Sequence, residues 1–293
     1  MKILHIIYSL RNGGAERILI DLVKGLNARG RENQICTIIP KNFFKPELDH
    51  YNISYNNLLN KEKIRFIPYL PLIMLKLKNQ VKIFKPDIIH THLRNDSIAC
   101  LLINENPIIR TFQNSIPFKA SPSNEEKISI STKILIKLEK LSILKKNFHL
   151  VACNDTSQKI INTYLTKYNK NCNTVITNAI DLSRIKKLYP NDYSTKKSTI
   201  IMVGTLYKTK NQIMGIYALR KIIDEGFDVE LQIIGDGQDK LKLISIANKL
   251  NILDRVKFLG KVENVQDHLK KATIYWSTSL SEGFSIANLE AMA

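Results

Sequence analysis

The sequence is short of acid. It carries 26 Asp and Glu against 44 Lys and Arg, a formal net charge of +18 at pH 7. Such an excess favours anionic partners, whether nucleic acid, acidic lipid headgroups or phosphorylated small molecules, without choosing among them. A coat of solvated lysines is the plain alternative. Cysteine is sparse too. Cys36, Cys100, Cys153 and Cys172 form no C-x-x-C pair and have no histidine at ligand spacing. That argues against a zinc site and a disulfide framework, and it fits a reducing cytosol. No apolar stretch reaches the roughly 18 residues of a spanning helix. The most apolar window, "IRFIPYLPLIMLKL" (64–77), is broken by Pro68 and Pro71. The opening "MKILHIIYSLRNGGAER" lacks the longer apolar core and cleavage site of a signal peptide. Low-complexity tracts and short-period repeats are missing as well. Aromatics do not interleave with the basic residues as on single-strand-binding surfaces, and no nucleic-acid motif occurs. A basic nucleic-acid binder without catalysis is therefore the weakest reading, and no nucleic-acid partner is expected.

What is present suits a folded α/β chain. Of the 293 residues, 44% are hydrophobic, enough for one large domain or two of ordinary size. "KILHIIYSL" (2–10) is a continuous apolar run, the pattern of a strand buried on both faces. After "RNGG", Ala15, Ile18, Leu19, Leu22, Val23 and Leu26 recur at helical spacing. Strands are expected near 33–40, 86–92, 107–112, 148–154 and 173–180, with a helix over 130–146 whose Ile134, Leu138 and Leu141 form one stripe. A polar stretch, "LYPNDYSTKKS" (188–198), reads as linker. Beyond it, strands near 199–204, 229–235, 255–260 and 272–278 alternate with helices near 211–225, 237–250 and 264–271. Such alternation predicts two Rossmann-like parallel sheets. We place the domains at 1–180 and 199–293, with 181–198 between them.

Four short stretches have the composition of binding loops. "GGAER" (13–17) puts two glycines between a strand and a helix N-terminus, where backbone can approach an anion. It is not the G-x-G-x-x-G fingerprint. "VGTLYKTKN" (203–211) places Lys208 and Lys210 at the carboxyl end of a strand, where open α/β sheets bind ligands. "IIGDGQDKL" (233–241) is a strand with a glycine turn. In "SLSEGFSIANLEAMA" (279–293) Ser285 can cap a helix. Glu282 then lies in the loop and Glu290 more than one turn into the helix, spaced for different parts of one extended ligand. Amides at Ser285 and Ile286 would suit a diphosphate.

These stretches, in this order, resemble the family 4 retaining glycosyltransferases. "GGAER" looks like that family's first glycine loop, "IIHTH" its H-x-H strand end, and "NAID" (178–181) its Asn-Gly-Ile-Asp. "VGTLYKTKNQ" resembles its Val-Gly-Arg-Leu loop, and "EGFSIANLEAMA" its E-x7-E segment. The resemblance implies the GT-B architecture, two Rossmann-like domains facing a cleft. The family normally continues for several strands and helices beyond "EAMA", so the second domain is expected to be incomplete. An inactive truncated relative is the alternative to an active enzyme.

The resemblance also implies roles. A nucleotide-sugar donor would bind mainly to the second domain, with no cofactor and no catalytic metal. Glu290 would bond the ribose and Glu282 the donor sugar. Backbone at Gly283, Phe284, Ser285 and Ile286 would hold the diphosphate beside Gly204 and Thr205, with Lys210 countering its charge. Gly13 and Gly14 would close from the first domain. His92 and Gln113 would face a glycan or lipid-linked acceptor. Catalysis would rest on Glu282, Lys210 and Gln113. Thr205 stands where the family usually has arginine, so Lys208 is the candidate substitute, and Gln113 stands where it commonly has histidine. Two basic segments, 61–85 and 127–146, suit peripheral contact with an anionic leaflet. The expected place is the cytoplasm, at the inner face of the cytoplasmic membrane.

Overall fold

A computed structural model describes residues 1–113, 129–185, 198–262 and 264–293. The chain forms two compact units, Met1–Ala179 and Ile180–Ala293. Most of the expected linker, and the first two residues of the 127–146 segment, lie outside the described residues.

The first unit is built on strands β1 (Lys2–Ile7), β2 (Glu32–Thr37), β3 (Ser54–Asn57), β4 (Ile88–Thr91), β5 (Ile108–Phe112), β6 (Phe148–Ala152) and β7 (Thr174–Val175). All pair in parallel, in the order β3-β2-β1-β4-β5-β6-β7. Its helices are α1 (Gly14–Asn27), α2 (Lys45–His50), α3 (Phe66–Phe84), α4 (Arg94–Ala99), α5 (Ile130–Ile143) and α6 (Asp155–Leu165). Strand direction of progress reverses between β1 and β4. At that switch point the loops after the two strands diverge and leave a crevice at their carboxyl ends. Gly13 and His92 stand on those two loops.

The continuous apolar run of β1 is explained by cover on both faces. Leu4 and Ile6 join one core cluster with Ile73 and Leu77 of α3. Ile7 joins another with Leu19, Ile20 and Val23 of α1. Each such fully buried side chain contributes about 1.5–3 kcal/mol. Arg17 fastens α1 to α2, meeting Asp21 and Glu47 at 2.5 Å each. Pro71 lies inside α3 without ending it.

The helix over 130–146 packs on a different stripe from the expected one. Ile134 and Leu141 are exposed, while Leu135, Leu138, Glu139, Ser142 and Ile143 turn inward. The physical reason is Glu139, which is buried between Arg94 (2.7 Å) and Arg110 (3.4 Å). Its two ion pairs hold the face of Leu135, Leu138, Glu139 and Ser142 inward.

The second unit has strands β8 (Ser198–Val203), β9 (Val229–Ile234), β10 (Val256–Gly260) and β11 (Ile274–Tyr275), and helices α7 (Gln212–Asp224), α8 (Lys240–Lys249), α9 (Val265–Leu269) and α10 (Ile286–Met292). Its sheet is parallel, in the order β10-β9-β8-β11. The switch point here lies between β8 and β11, so the loops 204–211 and 276–285 flank a crevice of the same kind. All four cysteines are buried thiols.

Candidate active site

The loop after β8 is held by the loop after β9. Gly204 N–H donates to Ile234 O (2.9 Å), Leu206 N–H to Asp236 O (3.1 Å), and Asp239 N–H to Leu206 O (3.0 Å). Gly235 has φ +133°, and a Cβ there would stand 1.9 Å from Gly204 O. A Cβ on Gly237 would stand 2.4 Å from Leu206 O. The Gly-Asp-Gly turn is thus a close-packing device that sets the β8 loop. Gln212, buried at the start of α7, adds a bond from Nε2 to Thr205 O at 3.1 Å.

That fixed loop then turns through Lys208–Lys210 and enters α7 at Asn211, which has φ +51°. Thr205 and Lys208 are exposed, whereas Lys210 is half-buried. Lys210 Nζ meets Glu282 Oε1 at 2.5 Å, and Ser279 Oγ donates to the same oxygen at 2.6 Å. The Thr278 hydroxyl reaches the carbonyls of Lys210 (3.2 Å) and Asn211 (2.9 Å), and Leu280 N–H donates to Thr209 O (2.9 Å). The two loops of the switch point are therefore laced together, with the lysine and glutamate at their meeting place.

Ser285 caps α10, accepting the Asn288 N–H at 3.4 Å, and Ile286 is the first helical residue. Gly283 and Phe284 precede it in the half-buried loop that carries Glu282, and Glu290 is the fifth residue of α10. The Glu290 carboxylate takes Arg184 Nη1 at 3.4 Å and Nη2 at 3.5 Å. Tyr275 of β11 donates its hydroxyl to Asn288 Oδ1 at 2.9 Å. Burial, with the charges of Glu282 and Glu290, pushes that phenol up to about 12. One hydroxyl feels both carboxylates, so the two glutamates belong to one electrostatic neighbourhood. Sequence reasoning missed Arg184 and Tyr275. Arg184 stands three residues after the "NAID" stretch, a signal that was available.

In the first unit Gly13 is the N-cap residue of α1 and Gly14 its first residue. The Glu16 carboxylate folds back over Gly13, where a Cβ would meet Oε2 at 2.5 Å. Burial raises Glu16 to about 7, opposed by a bond from its own backbone N–H and by the charge of Arg11. Gln113 follows β5 and accepts the Asn178 Nδ2 donor on Oε1 at 3.1 Å.

His92, expected to face the acceptor, is buried at 1% exposure. Its ring packs 4.1 Å from His90 and 5.8 Å from His5 between centroids. Burial holds all three imidazoles below their ordinary range, His5 at about 4. Asp96 beside them accepts the N–H groups of His92 (3.3 Å) and Leu93 (2.7 Å), and burial raises it to about 8 against the pull of Arg110. This largely buried group of three histidines, Asp96, Arg110 and Glu139 is not legible as a cluster in the sequence, which shows only its H-x-H pair.

Comparison with known proteins places the chain. Residues 12–184, more than half of it, match the model described as Glycosyltransferase Family 4. The chain belongs to glycosyltransferase family 4. Residues 186–293 match a second model, Glycosyl transferases group 1. Among relatives, the capsular polysaccharide biosynthesis glycosyltransferase CapH of Staphylococcus aureus is 26% identical, over 99% of this chain and 78% of that protein. A Campylobacter jejuni enzyme is 25% identical, over 98% of this chain and 77% of its own length. It is named N-acetylgalactosamine-N,N'-diacetylbacillosaminyl-diphospho-undecaprenol 4-alpha-N-acetylgalactosaminyltransferase. Among solved structures, Anabaena HepE with UDP and glucose superposes with a TM-score of 0.75 at 20% identity, covering the whole chain and 78% of HepE. WaaG, a glycosyltransferase involved in lipopolysaccharide biosynthesis, gives 0.76 at 15% identity, over 99% of this chain and 78% of WaaG. The fold is GT-B, and this family 4 member is a transferase enzyme.

Proposed function

We propose that this glycosyltransferase moves a hexose-type sugar from a nucleotide-sugar, with retention at the anomeric carbon, to a glycan or lipid-linked acceptor of a cell-surface polysaccharide. The observation that carries the reading is the Lys210–Glu282 contact at the β8/β11 switch point. A cation and a carboxylate at one strand-end crevice suit a ligand that is anionic at one end and rich in hydroxyls at the other. Lys210 meets the diphosphate as charge grows on it, Glu282 the sugar hydroxyls, and Glu290 the ribose. Fixed donors of this kind stabilise the departing nucleoside diphosphate. The backbone at 283–286 and the loop from Gly204 to Lys208 complete the donor side. Gln113, oriented by Asn178, is assigned to the acceptor side. In this reading no metal takes part in transfer.

Two relatives are named for capsular polysaccharide or undecaprenyl-diphosphate glycans, which supports an acceptor at a membrane surface. Among the described residues no helix is long and apolar enough to cross a membrane. Peripheral contact of the basic α3 face with anionic lipid, at the cytoplasmic side, fits both facts.

A panel of UDP- and GDP-sugars, screened by thermal shift and then assayed for transfer to polyprenyl-diphosphate-linked glycans, tests the reading. Stabilisation by one nucleotide-sugar, lost in Glu290→Ala, is expected. Equal response to every anion in the panel would remove it.

A further inference from the structure

We propose that His5, His90 and His92 form a binding site for one zinc(II) ion. His5 and His90 sit on adjacent strands of the first sheet, and His92 is the first residue after β4. His5 and His90 are direct partners in the parallel pairing of β1 and β4. His92 follows His90 by two residues, which returns its side chain to the same face. One potential ligand nitrogen from each ring lies within 4.8 Å of the others.

Their hydrogen bonding favours a metal over a plain packed cluster. His5 bonds Asn33 Oδ1 through Nε2 at 3.1 Å, and its Nδ1 is buried with no partner among the described residues. His90 bonds Thr111 Oγ1 through Nε2 at 2.8 Å, which leaves its Nδ1 for a ligand. His92 is buried with neither nitrogen partnered among the described residues. In zinc sites, ligating histidines use one nitrogen for the metal and fix the ring through the other, to an outer oxygen. Asn33 and Thr111 stand in those outer positions. Nitrogens about 2.0–2.1 Å from a tetrahedral ion lie within about 3.5 Å of one another. Modest ring rotations would close the present triangle to that size.

Imidazole donors suit zinc, copper, iron or nickel far better than magnesium or calcium, which take oxygen. Arg110 opposes a cation here, but its guanidinium is paired with Glu139 at 3.4 Å. Three protein ligands leave a fourth position for a water molecule. The ion has no step in sugar transfer as assigned above, so this site stands or falls independently of that reading.

The test uses the full chain, stripped with chelator and titrated with cobalt(II), whose visible absorption reports imidazole coordination. One equivalent of cobalt, displaced by zinc, is expected. His92→Ala should abolish the spectrum, with circular dichroism confirming its fold. His50→Ala, at an exposed histidine on α2, should leave it unchanged. Thr111→Val removes only the outer hydroxyl and should weaken binding about 10- to 100-fold. Failure of the wild-type chain to take up cobalt or zinc overturns the proposal. So does equal uptake by a folded His92→Ala chain.

Discussion

Lys210 and Glu282, 72 residues apart in sequence, meet at 2.5 Å across the two loops of the second sheet's switch point. Both are only about a quarter exposed, so water screens the pair incompletely. Without donor, each neutralises the other. With a diphosphate present, the lysine would share its charge with the phosphates.

Lys210→Ala should therefore lower turnover more than donor affinity. Charge on the diphosphate grows as the glycosidic bond breaks, and loss of one fixed stabiliser costs about a hundredfold or more in rate. Thr205 supplies no second cation at that loop. Single-turnover kinetics beside donor titration separate the two effects. Equal rates for mutant and wild type would take Lys210 out of the mechanism.

Glu290→Ala should weaken donor binding about 10- to 100-fold, the loss of a charge-assisted hydrogen bond of about 1.5–3 kcal/mol. Arg184 holds this carboxylate at 3.4 Å, so Arg184→Ala should weaken binding less, by freeing Glu290 to move. Calorimetric titration measures both. The two losses should not add in the double mutant, since one residue acts through the other.

The parallel α/β plan was legible in the sequence because a strand such as β1, covered on both faces, reads as a continuous apolar run, and because such runs alternate with helical stretches. The site loops were legible because short glycine-bearing stretches sit between strand and helix. Ser285 caps its helix and Glu282 lies in the loop, as their spacing suggested. What escaped were elements too short for a period to show: β3 with four residues, α2 and α4 with six each. The stripe on α5 escaped for another reason. A buried glutamate outweighed two apolar residues once Arg94 and Arg110 were in place, and no local pattern announces a partner 29 or 45 residues away. The His5–His90 pairing is likewise a matter of register between strands.

Gly235→Ala should destabilise the second unit by at least ~2 kcal/mol, through a backbone clash added to strained φ. Gly226→Ala is the control. It has φ +90° but nothing within 4 Å of a new Cβ, so it should cost only about 1–2 kcal/mol. Urea unfolding compares them. Equal losses would mean that the close approach to Gly204 does not constrain the loop.

Glu16→Gln should change the pH dependence of stability. The folded carboxyl is raised to about 7 from an ordinary value near 4.5. The folded chain thus holds a proton that the unfolded chain releases. Stability is full below about pH 4.5 and falls as pH rises toward 7. The glutamine variant lacks that fall, so it should match wild type at pH 4.5 and exceed it by about 1–3 kcal/mol at pH 8. Unfolding midpoints at the two pH values decide. Parallel curves would place Glu16 in ordinary solvent.

Vesicle binding should depend on both charge and apolar contact, and α3 shows why. Residues 61–87 carry seven Lys and Arg against two Asp and Glu. Lys76, Lys78, Lys82 and Lys85 are exposed in the α3 region, and so are Leu75 (61%) and Ile83 (68%). Exposed leucine and isoleucine among lysines are what an interfacial helix presents to a headgroup layer. The other basic segment contributes less than its lysine count suggests. Lys145 is spent on the carbonyls of Leu101 (2.8 Å) and Ile103 (2.7 Å), and Lys140 lies over the Tyr168 ring at 4.2 Å. Binding to anionic vesicles should therefore fall steeply with salt, each lysine near the surface contributing about 1 kcal/mol. Lys78→Glu with Lys82→Glu should abolish it, whereas Lys145→Ala should leave it intact if the fold survives. Leu75→Ser should weaken binding at every salt concentration without changing the salt slope. Flotation with anionic and neutral vesicles reads all of these, and equal binding to neutral vesicles would show that the basic face is not the cause.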